Sequence, residues 1–236
     1  MSCIKKVLFV LFFISPFQGN ASAQEENTSL TPEIIQHIPK GWRFVDLAQG
    51  PLRAYGAVDA VLVIEKAMEK LEDTVSDDEE RTLPEIPRRL LVLFKEENEY
   101  RISFSSDKLL PAYPNLQGGD DFFRGVEIKR GSLKIRTGYV LTLGSWWCSL
   151  HKHVFRFEEE SKRFRLVGST HELFHKACGD AEERSVNYLT HKMKIKKVES
   201  VFDDPPSKPK VTWYDYPGVW CMDDIHDLNT FGEQFN

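Results

Sequence analysis

Two alternating runs separated by a charged turn constrain this fold more than any other feature. Residues 147–157 read WCSLHKHVFRF, residues 163–168 read RFRLVG, and EEESK lies between them. Side chains on a strand point to opposite faces in turn, so a period-two pattern broken by a short polar turn specifies an antiparallel hairpin. Strand-like segments also occur at 41–45, 60–64, 90–94, 100–105, 126–129, 133–137 and 192–198. Lys129-Arg130-Gly131-Ser132 joins two of them tightly enough for a second hairpin, whereas residues 111–125 form a longer loop. No fixed-period repeat and no heptad pattern is present. The expectation is a mainly β fold, a meandering antiparallel sheet, barrel-like or sandwich, with irregular insertions.

The ends of the chain read differently. Lys5 and Lys6 precede an apolar run at 7–14, and Ala21-Ser22-Ala23 follows as an A-x-A cleavage site, so residues 1–23 are expected to be a signal peptide. The apolar run is too short to span a bilayer, and no membrane span is expected after its removal. Loss of the two lysines takes the formal charge from −5 to about −7. A mildly acidic chain with dispersed lysines excludes nucleic acid as an expected partner. A β-rich domain is expected over 24–202, carrying an acidic loop at 66–88, and a tail over 203–236. Pro205-Pro206 and Pro209 break the sheet there, and Trp213, Tyr214, Tyr216 and Trp220 are expected to dock the tail on the domain.

One segment carries a resemblance. Gly41-Trp42, Gly50-x-Leu52, Gly56 and Asp59-Ala60-Val61-Leu62-Val63 resemble the calcium-loop-plus-strand unit of FG-GAP/VCBS-type secreted proteins. Such a loop spaces oxygen side chains along its length, because calcium takes six to eight oxygen ligands. Here the corresponding positions are Pro51, Arg53 and Tyr55, and only Asp59 is retained. The resemblance, which takes in small uncharacterised secreted bacterial proteins, implies an exported β-rich protein with an erased metal site, and it implies no reaction. Residues 155–157, 164–168 and 185–190 extend it.

The sharpest catalytic signal is Thr170-His171-Glu172-Leu173-Phe174-His175, which contains the His-Glu-x-x-His spacing of zinc proteases. That motif works on a helix, where residues four apart share one face and two imidazoles reach one metal. On a strand His171 and His175 lie ~13 Å apart and cannot do so. Continuing the alternation of 163–168 makes the segment a strand. Pairing Phe157 with Phe164 then sets His171 near Leu150 and His175 near Trp146. In that register His151 and His153 share a face with Phe155 and Phe157, and His171 lies on the other; a one-residue slip would unite the three. The same register brings Cys148 and Cys178 to the open end of the hairpin, where a disulfide is expected, leaving Cys221 over.

Other chemistry is thin. Ser145-Trp146-Trp147 lacks the glycines of a nucleophile elbow, and Gly118-Gly119-Asp120-Asp121 lacks the further spaced oxygens of a calcium loop. No cofactor is expected. The resulting expectation is a periplasmic or secreted, non-enzymatic protein that binds a protein partner in the envelope, as an immunity-like or envelope factor. Two alternatives stand beside it. One is a small zinc metallohydrolase with His171 and His175 as ligands and Glu172 as catalytic base. The other is a glycan-binding module using Trp146 and Trp147 as its surface.

Overall fold

The computed structural model describes residues 30–54, 56–67, 85–114, 120–140, 145–205 and 207–231. The expected signal peptide, residues 68–84 of the acidic loop and the Gly118-Gly119 pair lie outside them. Among the described residues no helix is long and apolar enough to cross a membrane.

The fold is mainly β, a single antiparallel meander divided between two sheets that do not close into a barrel. The first sheet has the order β1 (Trp42–Gly50), β2 (Asp59–Lys66), β3 (Arg88–Glu96), β4 (Glu99–Ser106). The second holds β5 (Phe123–Lys129), β6 (Ser132–Tyr139), β7 (Trp147–Glu158), β8 (Arg163–His175), β9 (Ala181–Asn187), β10 (Lys192–Val198) and β11 (Lys210–Asp215), also in chain order. Strands adjacent in each sheet are also adjacent in sequence, so no connection crosses over. The β5–β6 loop is Arg130-Gly131, with φ of 53° and 69°. Both central residues at positive φ define the turn whose twist matches its strands, and glycine fills the second place at no steric cost.

The two sheets face each other across one core. Val61, Val63, Leu90 and Val92 from the first meet Leu133, Ile135, Phe155, Phe157, Phe164 and Leu166 from the second. Phe94 and Phe157 pack edge to face at 4.9 Å. The opposite faces of β2 and β3 are buried as well: Ala60, Leu62, Ile64, Leu91 and Leu93 form a second cluster. It is capped by Ile34 of α1 (Pro32–Ile35), fully buried, with Leu30, Ile38 and Trp42. Burial on both faces is the reason AVLVI and LLVLF lack alternation. Full burial of a side chain such as Ile34 contributes about 2 kcal/mol.

Polar ties hold the sheets in register. Arg88 on β3 is almost wholly buried and donates to both oxygens of Asp121, at 2.5 and 2.7 Å, and to Glu65 at 3.1 Å. Asp46 on β1 accepts from the Val126 amide on β5 at 3.0 Å. Asp59, the retained acid of the calcium-loop-like segment, is fully buried. It accepts from the Leu52 and Lys95 amides and from the Arg53 guanidinium. Its oxygens are thus committed to bracing the loop on β3.

The tail departs from expectation in part. Lys210–Asp215 is a true strand, the outer edge of the second sheet, and its Trp213 and Tyr214 are exposed rather than docked. The docking is done further on. After a 3-10 turn at Met222–Asp224, the buried side chains of Met222, Ile225, Leu228 and Phe231 enter the main core, with Tyr216 and Trp220 packed against it. The Arg163 guanidinium clamps Asp223 and Asp224 from the surface.

Candidate functional site

His171, Glu172 and His175 all lie on β8, a thirteen-residue strand. In extended backbone, four residues separate the two histidine positions by ~13 Å. His171 stands opposite His151, and His175 stands opposite Trp147. Glu172 falls on the other face of the sheet, opposite Leu150 and Glu183. Burial and the neighbouring Glu183 push its carboxyl up. The helical geometry that a zinc protease requires is not formed, because residues 169–174 are held extended by pairing with β7 on one side and β9 on the other.

The register itself differs from expectation by one residue, for an identifiable reason. Phe157 does pair with Phe164, and Phe155 with Leu166, but Val154 then pairs with Gly168. Val167 is the extra residue of a β-bulge, and beyond a bulge every side chain changes face. His171 therefore leaves the Leu150 face and joins His151 and His153 on the inner one. The rings of His151 and His171 lie 4.4 Å apart, those of His153 and His171 5.5 Å, and those of His151 and His153 6.5 Å.

This cluster is buried, at 8%, 0% and 6% exposure for His151, His153 and His171, which separates it from ordinary surface histidines. The C-terminal segment covers it: His153 donates through Nε2 to the Leu228 carbonyl at 3.1 Å, and its ring meets Phe231 edge-on. The backbone at Leu228 and Asn229 also hydrogen-bonds to His151. Thr137 stands opposite His151, and Arg184 opposite His171. Ser169, opposite His153, shares a 2.8 Å hydrogen bond with the Tyr188 hydroxyl.

Burial first, then repulsion by the other imidazoles, lowers His153 to about 3 and His171 to about 2. Desolvation lowers His151 too, against the hydrogen bonds to the Leu228 and Asn229 backbone and the lesser effect of Asp227. Groups whose pKa lies so far below 7, and which are shielded from solvent, are poor general acids or bases near pH 7. Among the described residues no group of three His, Cys, Asp or Glu side chains is arranged to hold a metal ion. The cluster is a neutral polar seam within an apolar core.

The accessible features lie at the end of the second sheet. Trp146 and Trp147 are 65% and 41% exposed. The Trp147 ring packs edge-on against His175 at 4.6 Å and borders a cavity of about 310 Å³. Leu173, Ala181 and Val198 give this cavity apolar walls, and the Lys197–Glu182 ion pair (2.6 Å) lies in its lining. The expected disulfide is not formed, since Cys148, Cys178 and Cys221 are all free. Cys148 lies opposite Phe174, and Cys178 sits past the strand in the turn, with Sγ 2.8 Å from His175 Nδ1.

No protein-family model matches the chain, and no curated protein or solved structure matches it either. Sequence reasoning missed Thr137, Arg184 and the covering segment 227–231. It also missed β9, whose AEERSVN has too few apolar residues to show a strand period. One signal for the bulge was present: inward-facing Leu166 and Ser169 are three apart with Gly168 between them, a spacing that a regular strand cannot give.

Proposed function

We propose that this chain is an exported, non-enzymatic binding protein that engages a protein partner in the envelope or outside the cell through the rim at Trp146 and Trp147. One observation carries the reading: two adjacent tryptophans face solvent, and the second of them, Trp147, lines a cavity with apolar walls. Exposed tryptophan is uncommon on a surface with nothing to bind, and aromatic side chains dominate the energetics of protein interfaces. The export half of the reading rests on Lys5, Lys6, the apolar run and the A-x-A site. The absence of a catalytic role is supported by the extended HELFH segment and the neutral, buried imidazoles.

The test uses a photo-crosslinking residue in place of Trp146 in the native cell, with the same residue at Glu97 in the remote β3–β4 turn as control. A discrete protein adduct at position 146, absent at position 97 and lost on Trp147→Ala, supports the rim. The same adducts at both positions, or none at 146, contradict it. Mild reduction of binding to soluble peptidoglycan fragments by Trp147→Ala, with no protein adduct, would favour a glycan-binding module instead.

A further inference from the structure

The outer face of the second sheet is a solvent-facing surface with its own charge character. Registers place Arg136, Lys152, Thr170, Ser185, Lys194 and Trp213 opposite one another in succession from β6 to β11. This row holds three cations, two hydroxyls and a tryptophan, and no acid. At ~4.8 Å per strand it runs about 24 Å across the sheet. Trp213 at its end is 63% exposed. Lys134 and Lys192 flank the row on one side, and Lys196 on the other. Glu127 pairs with Lys134 at 3.4 Å, Glu183 with Lys194 at 3.1 Å and Asp215 with Lys192 at 2.6 Å, and Glu172 lies beside Lys152 and Lys196. These acids offset part of the charge and leave the face with six cations against four acids. In a chain with 36 acids and 31 basic residues, such a row is a local reversal of the overall sign.

We infer that this row is a docking track for a linear anionic polysaccharide, one whose carboxylates are separated by neutral sugar hydroxyls. Three features of the row select that ligand class. Neighbouring strands rotate by about 20–25°, so the row winds along the sheet, and a flexible polymer follows it where a flat lipid surface cannot. The cations come in two groups, Arg136 with Lys152 and then Lys194, separated by the hydroxyls of Thr170 and Ser185. A nucleic acid strand presents a charge about every 3.4 Å and needs a series of aromatic platforms, whereas this row offers spaced charges and one tryptophan. The ring of Trp213 supplies an apolar face for a sugar, with its indole N–H at the edge. This site is on the opposite face of the sheet from the buried histidines and does not depend on the rim at Trp146.

The experiment measures binding of polygalacturonate oligomers to the full processed chain by calorimetry at low salt. Neutral dextran, single-stranded oligothymidylate and anionic phosphatidylglycerol vesicles serve as comparison ligands. The expected result is polygalacturonate binding that weakens as salt rises, is at least about tenfold weaker in Lys152→Glu/Lys194→Glu, and is reduced in Trp213→Ala. Unchanged urea midpoints establish that both variants are folded. The inference is overturned by no binding to polygalacturonate, by equal binding in the charge-reversed variant, or by tighter binding to oligothymidylate or vesicles.

Discussion

Mild acid is expected to destabilise this protein well above the pH at which carboxylates titrate. In the unfolded chain each histidine binds a proton with a pKa near 6.5, whereas in the fold His153 and His171 are held at about 3 and about 2. The unfolded state therefore binds more protons from pH 6.5 downward. The contribution of each histidine to stability is complete above pH 6.5 and declines as pH falls toward the folded values. Moving to pH 5 costs about 1.4 kcal/mol per pH unit for each group, or about 2 kcal/mol per histidine and ~4 kcal/mol for the two. His151 acts in the same direction. Glu172, whose carboxyl is raised, opposes it as its own charge is neutralised. A loss of ~4 kcal/mol is a large share of the 5–15 kcal/mol typical of a domain. Urea unfolding followed at about pH 7.5, 6.5, 5.5 and 5.0, with a constant m-value, gives the dependence directly. His153→Gln/His171→Gln should flatten the curve between pH 6.5 and 5. Stability that stays level or rises across that interval in the native protein would refute the reasoning, because it requires imidazoles that charge as easily in the fold as out of it.

Three further outcomes follow from particular contacts. Arg88→Met leaves the buried Glu65 carboxylate with Arg43 as its cationic partner and takes both guanidinium hydrogen bonds from Asp121, and should cost about 3 kcal/mol by urea unfolding; adding Glu65→Gln should restore part of it, and additive losses would show that the two side chains do not interact. Gly138 has φ of 136°, and a Cβ there would approach the Ser149 carbonyl oxygen to 2.2 Å; Gly138→Ala should therefore lose about 3 kcal/mol or fail to fold, and an unchanged midpoint would exclude this β6–β7 packing. Alkylation without reductant should modify three thiols in the denatured processed chain, with exposed Cys178 reacting ahead of buried Cys221 in the native one; a single reactive thiol would restore the Cys148–Cys178 disulfide.

The sequence made the β class legible because alternation is a local property, carried residue by residue in stretches such as FRLVG and HKHVFRF. The hairpin at Phe157 and Phe164 was equally local, fixed by the charged turn at 159–162. What remained hidden depended on one residue of count. Val167 in the bulge changes the face of everything after it, and period-two reasoning propagates an error of one without any internal warning. The histidine cluster was thus one residue away from being read correctly. The covering segment was hidden for another reason. Met222, Ile225, Leu228 and Phe231 recur at every third residue, which matches neither the strand period of two nor the helical period of 3.6. The cationic row on the outer face could not be seen until the strand order put Lys152, Lys194 and Trp213 side by side.

The register of β7 against β8 is the point on which the site description rests, and proton NMR on histidine-labelled protein tests it most directly. The account expects ring-to-ring contacts between His151 and His171, with strand-type backbone shifts through residues 169–175. A contact from His171 to Leu150, or helical shifts through THELFH with His171 and His175 side by side, would contradict it.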